Sequence, residues 1–386
     1  MKKLLLALAL IAAAPSPAAA ATLARTPPMG WNSWYTYRCA PTEQGVLANA
    51  QALLDTGMAA RGYRYVNVDG CWEARHRTRH GILQADPKAF PGGMAALGRK
   101  IHAMGLKLGI YTSAGPTICM HPQPGSYRHY KQDLRTFAAW KVDYVKVDWC
   151  SSPPHTTQQR AYNAVHEAAR KAGRRMIVAV STAGTRKPWR WARRYGQTWR
   201  IGTDANGRWD GITRSLDIDA PLWRWAGPGG WNDPDMLQVG SAALSPAEAR
   251  AHFSLWAMLA APLLEGHDLT SLSPDSLATL TNEEVIALDQ DPSGHQAERV
   301  RRKNGIETWV KPLAGGDRAV LLLNRRTQPQ RLTVRLGNLP GVQQGASKFT
   351  VRDLWTHASR KAAAGDPQRV DLNGHEAVVW RLTPRR

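Results

Sequence analysis

A short β-rich run followed by a helical stretch recurs eight times between Met29 and about Asp268. No other feature limits the fold as strongly, because such an alternation points to parallel strands joined by crossovers. The runs that read as strands are residues 29–34, 63–69, 106–112, 142–148, 176–181, 198–204, 230–237 and 255–264. Helical patterns between them include 44–60, 94–104 and 161–172. Thr42 stands where an N-cap belongs, and Gly105 and Gly173 where C-caps belong. Eight units over roughly 250 residues predict a (β/α)8 TIM barrel. A doubly wound open sheet would need a reversal of strand order. Polar residues cluster at the C-terminal ends of the runs, unit after unit, and that favours the barrel.

Beyond about Gln290 the texture changes. Residues 307–310, 318–324, 330–336, 349–355 and 376–382 are short alternating runs separated by Gly, Pro and Asn. They predict a small C-terminal antiparallel β-sandwich. The turn-forming Asp291-Pro292-Ser293-Gly294 marks the join, so the barrel is expected over 21–291 and the sandwich over 292–386. Residues 1–20 read as a signal peptide. Lys2 and Lys3 form a basic start, residues 4–14 are apolar but too short to span a bilayer, and Ala18-Ala19-Ala20 offers a cleavage site. The expectation is an exported protein, periplasmic or extracellular, with no membrane attachment after cleavage.

The formal charge is +21, from 51 Lys and Arg against 30 Asp and Glu. So basic a balance raises nucleic acid and acidic glycans as partners. The arginines are spread along the whole chain, however, and read as a solvated basic surface with no nucleic-acid partner. Sixteen Trp against four Phe is the odder composition, since Trp-rich chains often stack rings on sugars. The four cysteines are Cys39, Cys71, Cys119 and Cys150. In an oxidising compartment they suggest two disulfides, and their spacing fits no zinc site. On a barrel each follows one of strands 1 to 4. Only Cys39–Cys71 with Cys119–Cys150 then joins neighbouring units in both bonds.

The strand ends carry the chemistry. They read Val68-Asp69-Gly70-Cys71-Trp72, Lys146-Val147-Asp148-Trp149, Thr203-Asp204 and Trp231-Asn232-Asp233-Pro234-Asp235. One acid at a strand end can be a helix N-cap. Several together, with Lys146, Arg200, Tyr111, Trp31 and Trp34 on the same rim, read instead as a pocket. Paired carboxylates, cations and aromatic walls are what glycoside hydrolysis requires. No GxSxG, HExxH or post-strand GxGxxG is present. His102 and His121 stand alone, and neither a metal nor a cofactor is expected.

These residues resemble a known family. Thr26-Pro27-Pro28-Met29-Gly30-Trp31-Asn32-Ser33-Trp34, residues 63–72, Asp143-Tyr144-Val145-Lys146-Val147-Asp148 and residues 229–237 are similar to glycoside hydrolase family 27. This is the family of α-galactosidases and α-N-acetylgalactosaminidases. Residues 257–268 and Arg352-Asp353-Leu354-Trp355 are similar too. The resemblance implies retaining hydrolysis on a barrel with a C-terminal antiparallel domain, no metal, and the same two disulfides. It implies Asp148 as nucleophile and Asp204 as acid/base. It implies Trp31, Asp69, Tyr111, Lys146, Arg200 and Asp235 as sugar-binding residues.

Two positions depart from the family. It typically has Asp-Asp-Cys where this chain has Asp69-Gly70-Cys71. It usually has Cys-Glu-Trp or a small-residue variant where this chain has Ser181-Thr182-Ala183. Both changes strike sugar recognition and neither touches the catalytic pair. The expected function is a secreted retaining exo-glycosidase acting on terminal α-D-galactosyl units. The alternatives are the same mechanism on a β-L-arabinopyranoside, an α-N-acetylgalactosaminide or an α-glucan, or a silent sugar-binding homologue.

Overall fold

The computed structural model describes residues 23–153, 155–342 and 346–385. The expected signal peptide lies outside the described residues. Eight parallel strands form the first sheet: β1 Met29–Asn32, β2 Tyr65–Val68, β3 Lys107–Ser113, β4 Tyr144–Asp148, β5 Ile177–Ser181, β6 Thr198–Arg200, β7 Trp231–Asp233 and β8 Leu263–Glu265. Their order is β7-β6-β5-β4-β3-β2-β1-β8. The ring closes just beyond β7. Leu237 N donates to Leu264 O at 2.8 Å, and Gly266 N donates to Leu237 O at 3.0 Å.

The helices are α1 Trp34–Tyr37, α2 Glu43–Asp55, α3 Gly93–Ala103, α4 Tyr130–Ala139, α5 Gln158–Arg170, α6 Trp209–Asp219, α7 Pro246–Leu259, α8 Pro274–Leu280 and α9 Glu283–Asp289. Thr42 caps α2 by accepting from Gly45 N, as its position in the sequence predicts. Between β5 and β6 the described chain makes only two 3-10 turns, Pro188–Arg190 and Ala192–Arg194.

The predicted strand over 255–264 needs correction. Its first half is the end of α7, and β8 is only the last turn of the barrel. A capping box between Ser245 and Glu248, with Pro246 in the first turn, starts α7 well before residue 255. The helix is buried on nearly every side along 251–259. A helix buried all round shows no amphipathic period, so its apolar run reads like a buried strand.

That burial has a cause. The second sheet packs on α7. It is six-stranded, in the order β14-β13-β16-β11-β10-β9, from β9 Glu298–Lys303, β10 Ile306–Pro312, β11 Arg318–Asn324, β13 Lys348–Asp353, β14 Ser359–Ala363 and β16 Ala377–Arg385. A two-stranded sheet of β12 Gln330–Arg335 and β15 Pro367–Leu372 completes the antiparallel sandwich. Strand β11 is buried along its whole length. Ala319, Leu321 and Leu323 join the barrel's core, while Val320 and Leu322 join the sandwich's own core. The period of two serves both faces at once. The strands β9 and β14 escape sequence reading because most of their residues are exposed, and β15 because one of its three buried positions is the polar Gln368.

The interface also buries charge. Lys311 on β10 is fully buried, and its Nζ donates to the carbonyl of Ala257 near the end of α7 at 2.9 Å. Asp219 at the end of α6 accepts from Gln296 Nε2 at 3.0 Å, and its Oδ2 has no partner. Burial pushes the Asp219 carboxyl up to about 7. The folded state therefore holds this proton more tightly than the unfolded chain, and stability falls as pH rises from about 4 towards 7. Asp219→Asn keeps the shape and removes the ionisation. Thermal melts should show it more stable than wild type at pH 8, by an amount on the order of a few kcal/mol, and near parity at pH 4.

Candidate active site

Strand geometry gathers the polar residues. Lys146 and Asp148 are two apart on β4, so both project from the same face into the barrel mouth. Asp69 follows β2, Arg200 ends β6, Ser181 ends β5, and Asp204 comes four residues after Arg200. Together with Gly70, Tyr111, Trp34 and Trp149 they line a cavity of 340 Å³ at the C-terminal rim. A larger cavity of 570 Å³ lies between α8, α9 and the sandwich, but no deeply buried carboxylate lines it.

Asp69 is held from four sides. Its Oδ2 accepts from Asn32 Nδ2 and from Lys146 Nζ, each at 2.9 Å. Its Oδ1 accepts from Gly70 N, and its own N donates to Ser33 Oγ, both at 2.9 Å. Asn32 and Ser33 thus position a pocket acid, a role that sequence reading missed. Their place in the Trp-Asn-Ser-Trp run at the end of β1 was the available signal.

Lys146 is the cation between the acids. Its Nζ lies 3.9 Å from Asp148 Oδ2, and 5.2 Å from the centre of the Tyr111 ring. Burial works against its charge, but Asp148 and Asp69 outweigh that and raise its pKa. For Asp148, burial raises the pKa, Lys146 lowers it and Asp69 raises it again; the net direction is up. Asp148 Oδ2 also packs 3.3 Å from Cys119 Sγ. The structure pairs Cys119 with Cys150 and Cys39 with Cys71, and Cys71, Cys119 and Cys150 line the cavity. The closed loops have separations of 32 and 31 residues, each worth roughly 3–4 kcal/mol in the loop-entropy account.

Arg200 organises the other wall. It is buried, with Nη2 3.0 Å from Asp204 Oδ1 and Nη1 3.0 Å from Asp235 Oδ1. The Asp204 side chain is 57% exposed, so it faces the open cavity. Its partial burial raises the pKa, but Arg200, Lys146 and Arg38 outweigh this and bring it down. Without sugar, Asp204 therefore holds its charge readily while Asp148 resists ionisation.

Two expected sugar contacts sit elsewhere. Trp31 is fully buried, its indole N–H donating to the carbonyl of His267, and Trp34 is the ring on the cavity wall. Asp235 is 1% exposed and stands behind Arg200. Asp69, Tyr111, Lys146 and Arg200 do line the cavity, as does His121, which the sequence presents as isolated. Half of the twelve largest fully buried side chains are tryptophans: Trp31, Trp72, Trp199, Trp231, Trp256 and Trp309. The Trp excess is mainly core rather than sugar platform.

The family model for alpha galactosidase A matches residues 26–291, and that for the alpha galactosidase C-terminal beta sandwich domain matches residues 303–382. The chain belongs to glycoside hydrolase family 27, the α-galactosidases. An α-galactosidase of Oryza sativa is 41% identical over 362 residues, which cover 94% of this chain and 86% of that one. Alpha-galactosidase A of Cellvibrio japonicus is 40% identical over 383 residues, covering 94% and 93%. The crystal structure of α-galactosidase I from Mortierella vinacea superposes with a TM-score of 0.90 at 31% identity, covering 94% of this chain and 98% of that one. The enzyme is an α-galactosidase, and the family implies a galactoside substrate.

Within this α-galactosidase the buried lysine controls the pocket's proton balance. Lys146→Met removes the one cation within 4 Å of Asp148 among the described residues. An opposite charge at such range depresses a carboxyl pKa by about 1–3 units. The acid limb of the kcat/KM profile should therefore move to higher pH, by about one unit. An unmoved limb would show that Lys146 does not govern Asp148.

Proposed function

We propose that the enzyme removes terminal α-D-galactosyl units by double displacement, with Asp148 as nucleophile and Asp204 as acid/base. The observation that carries this reading is one cavity lined by a largely buried carboxylate beside a lysine and a second, half-exposed carboxylate beside an arginine. In the first step Asp148 Oδ attacks the anomeric carbon, and the bond to the leaving oxygen breaks as Asp204 protonates it. In the second, Asp204 takes a proton from water, and that water displaces Asp148 from the sugar.

Arg200 favours the charged form of Asp204, so the substrate has to raise the affinity of this carboxyl for a proton. A sugar hydroxyl that engages Arg200 weakens its hold on Asp204. Once the cavity is dry, the Asp148 carboxylate raises the Asp204 pKa by like-charge repulsion. In the glycosyl-enzyme Asp148 is an ester and carries no charge, so Asp204 falls back to a base. Asp69 and Lys146 are placed to hold ring hydroxyls, and Trp34, Trp149 and Tyr111 to wall the ring. Residues 1–20 act in this reading as an export signal ahead of a barrel over 21–291 and a sandwich over 292–386. Two disulfides on the rim suit such an exported enzyme.

Asp148→Gly should fold and lose turnover by several orders of magnitude. Azide should restore part of it and yield the β-galactosyl azide. Wild type should release α-galactose as its first product by NMR. Near-normal activity in Asp148→Gly, or β-galactose released first, would overturn the mechanism.

Gly70 favours a second reading of the sugar. It supplies no acceptor beside Asp69, and Asp69, Asp148 and Asp204 are the only acids lining the cavity among the described residues. A missing charge-assisted bond is worth roughly 1.5–3 kcal/mol, or about 10- to 100-fold in affinity. A Cβ at Gly70 would lie 3.3 Å from Tyr111 Cε1, so an acid could be restored if that ring yields slightly. Gly70→Asp should improve kcat/KM on plain α-galactosides relative to β-L-arabinopyranoside and α-N-acetylgalactosaminide. No gain, with wild type already selective for α-galactoside, would show that Gly70 does not set specificity.

A further inference from the structure

Asp235 holds a backbone conformation that a non-glycine residue adopts only when its surroundings impose it, with φ of 105°. Those surroundings are specific. Its N donates to Asp233 Oδ1 at 3.0 Å, and its carbonyl accepts from the Trp256 indole at 2.7 Å. Its Oδ1 pairs with Arg200. Its Oδ2 accepts from Ala205 N at 2.8 Å and from the Tyr35 hydroxyl at 3.1 Å. The same hydroxyl accepts from Asn206 N at 3.4 Å. Ala205 and Asn206 directly follow Asp204. One phenol from α1 thus touches the β7 loop and the β6 loop at the point where Asp204 is presented.

Asp204 has little else to fix it. Its carboxyl has one hydrogen bond among the described residues, from Arg200, and Arg214 reaches only its backbone carbonyl. Tyr35 by contrast is firmly seated. Its ring stacks on His267 at 6.0 Å with planes 10° apart, and the Arg38 guanidinium lies 4.7 Å from its centre. A Cβ on Gly266 would come within 2.8 Å of Tyr35 Cδ2, so the ring packs directly on that backbone. Burial, with Asp235 and Asp204 nearby, keeps the phenol protonated, so it remains a donor to Asp235.

We propose that Tyr35 is a positioning residue for general acid catalysis: through Asp235 and Asn206 it clamps the segment carrying Asp204 so that this carboxyl meets the leaving oxygen. The proposal rests on Asp204 being the acid/base. Loss of the clamp lets the segment drift, and proton delivery suffers before sugar binding does. General acid catalysis as a whole supplies about 10²–10⁴-fold. Only leaving groups that need a proton should register the loss.

The test is Tyr35→Phe, which keeps the ring and removes only the hydroxyl. It is measured with methyl α-galactoside, whose alkoxide needs protonation, and with 2,4-dinitrophenyl α-galactoside, whose phenolate does not. Rates are taken on single turnover of the galactosylation step. The expected result is a fall of about tenfold or more on the methyl glycoside, with less than about twofold change on the dinitrophenyl one and little change in binding. Equal losses on both, or no loss on either, would overturn the role for Tyr35. Asp204→Asn runs alongside. If it loses selectively on the methyl glycoside while Tyr35→Phe does not, the clamp fails and the acid/base reading stands. If Asp204→Asn loses equally on both, the acid/base reading fails and the clamp falls with it.

Discussion

The ammonium of Lys146, buried between Asp69 and Asp148, is the interaction on which the active site depends. Two carboxylates this deep in a barrel mouth cannot both stay charged without a cation between them. Lys146 supplies that cation from the same strand face as Asp148, so the pair is built in by the period of β4. Asn32, Ser33 and Gly70 N then fill the remaining positions around Asp69. The loops after β1 and β2 are thereby tied to β4 by hydrogen bonds as well as by the sheet.

The opposite wall uses the same principle with reversed proportions. There one buried arginine faces several acids, with Asp235, Asp233 and Asp204 all favouring its charge. Asp235 neutralises it from behind, so that only Asp204 on the cavity side is free to respond to a substrate. The two walls therefore differ in what they prepare. The β4 wall holds a carboxylate that is reluctant to ionise beside a fixed cation. The β6 wall holds a readily ionised carboxylate whose cationic partner a sugar can claim.

Support for this rim comes partly from the far side of the molecule. Helix α7 is wrapped by the barrel on one side and by the six-stranded sheet on the other, and its Trp256 reaches the Asp235 carbonyl. The sandwich thus buttresses the helix that in turn steadies the β7 loop. Its own polar ties, Lys311 to Ala257 and Gln296 to Asp219, are buried, so the two layers meet as a continuous core.

The sequence by itself determined the class of fold, because eight strand–helix alternations leave few alternatives to a barrel and because β-strand period and Gly–Pro punctuation mark the sandwich. It also named the groups proposed to react. Asp148 and Lys146 share a strand face, Asp204 follows four residues after Arg200 at the end of β6, and the cysteine order allows one neighbouring pairing. Tertiary structure decided what distance in sequence conceals. It buried Trp31 and Asp235 behind the wall they were expected to line, and brought Trp34 forward. It made an all-round buried helix of a run that resembles a strand. It joined Tyr35 to Asp235 and Asn206 across 200 and 171 residues of chain. Local pattern records which face of an element a residue occupies, but only packing decides whether that face meets solvent, core or another loop.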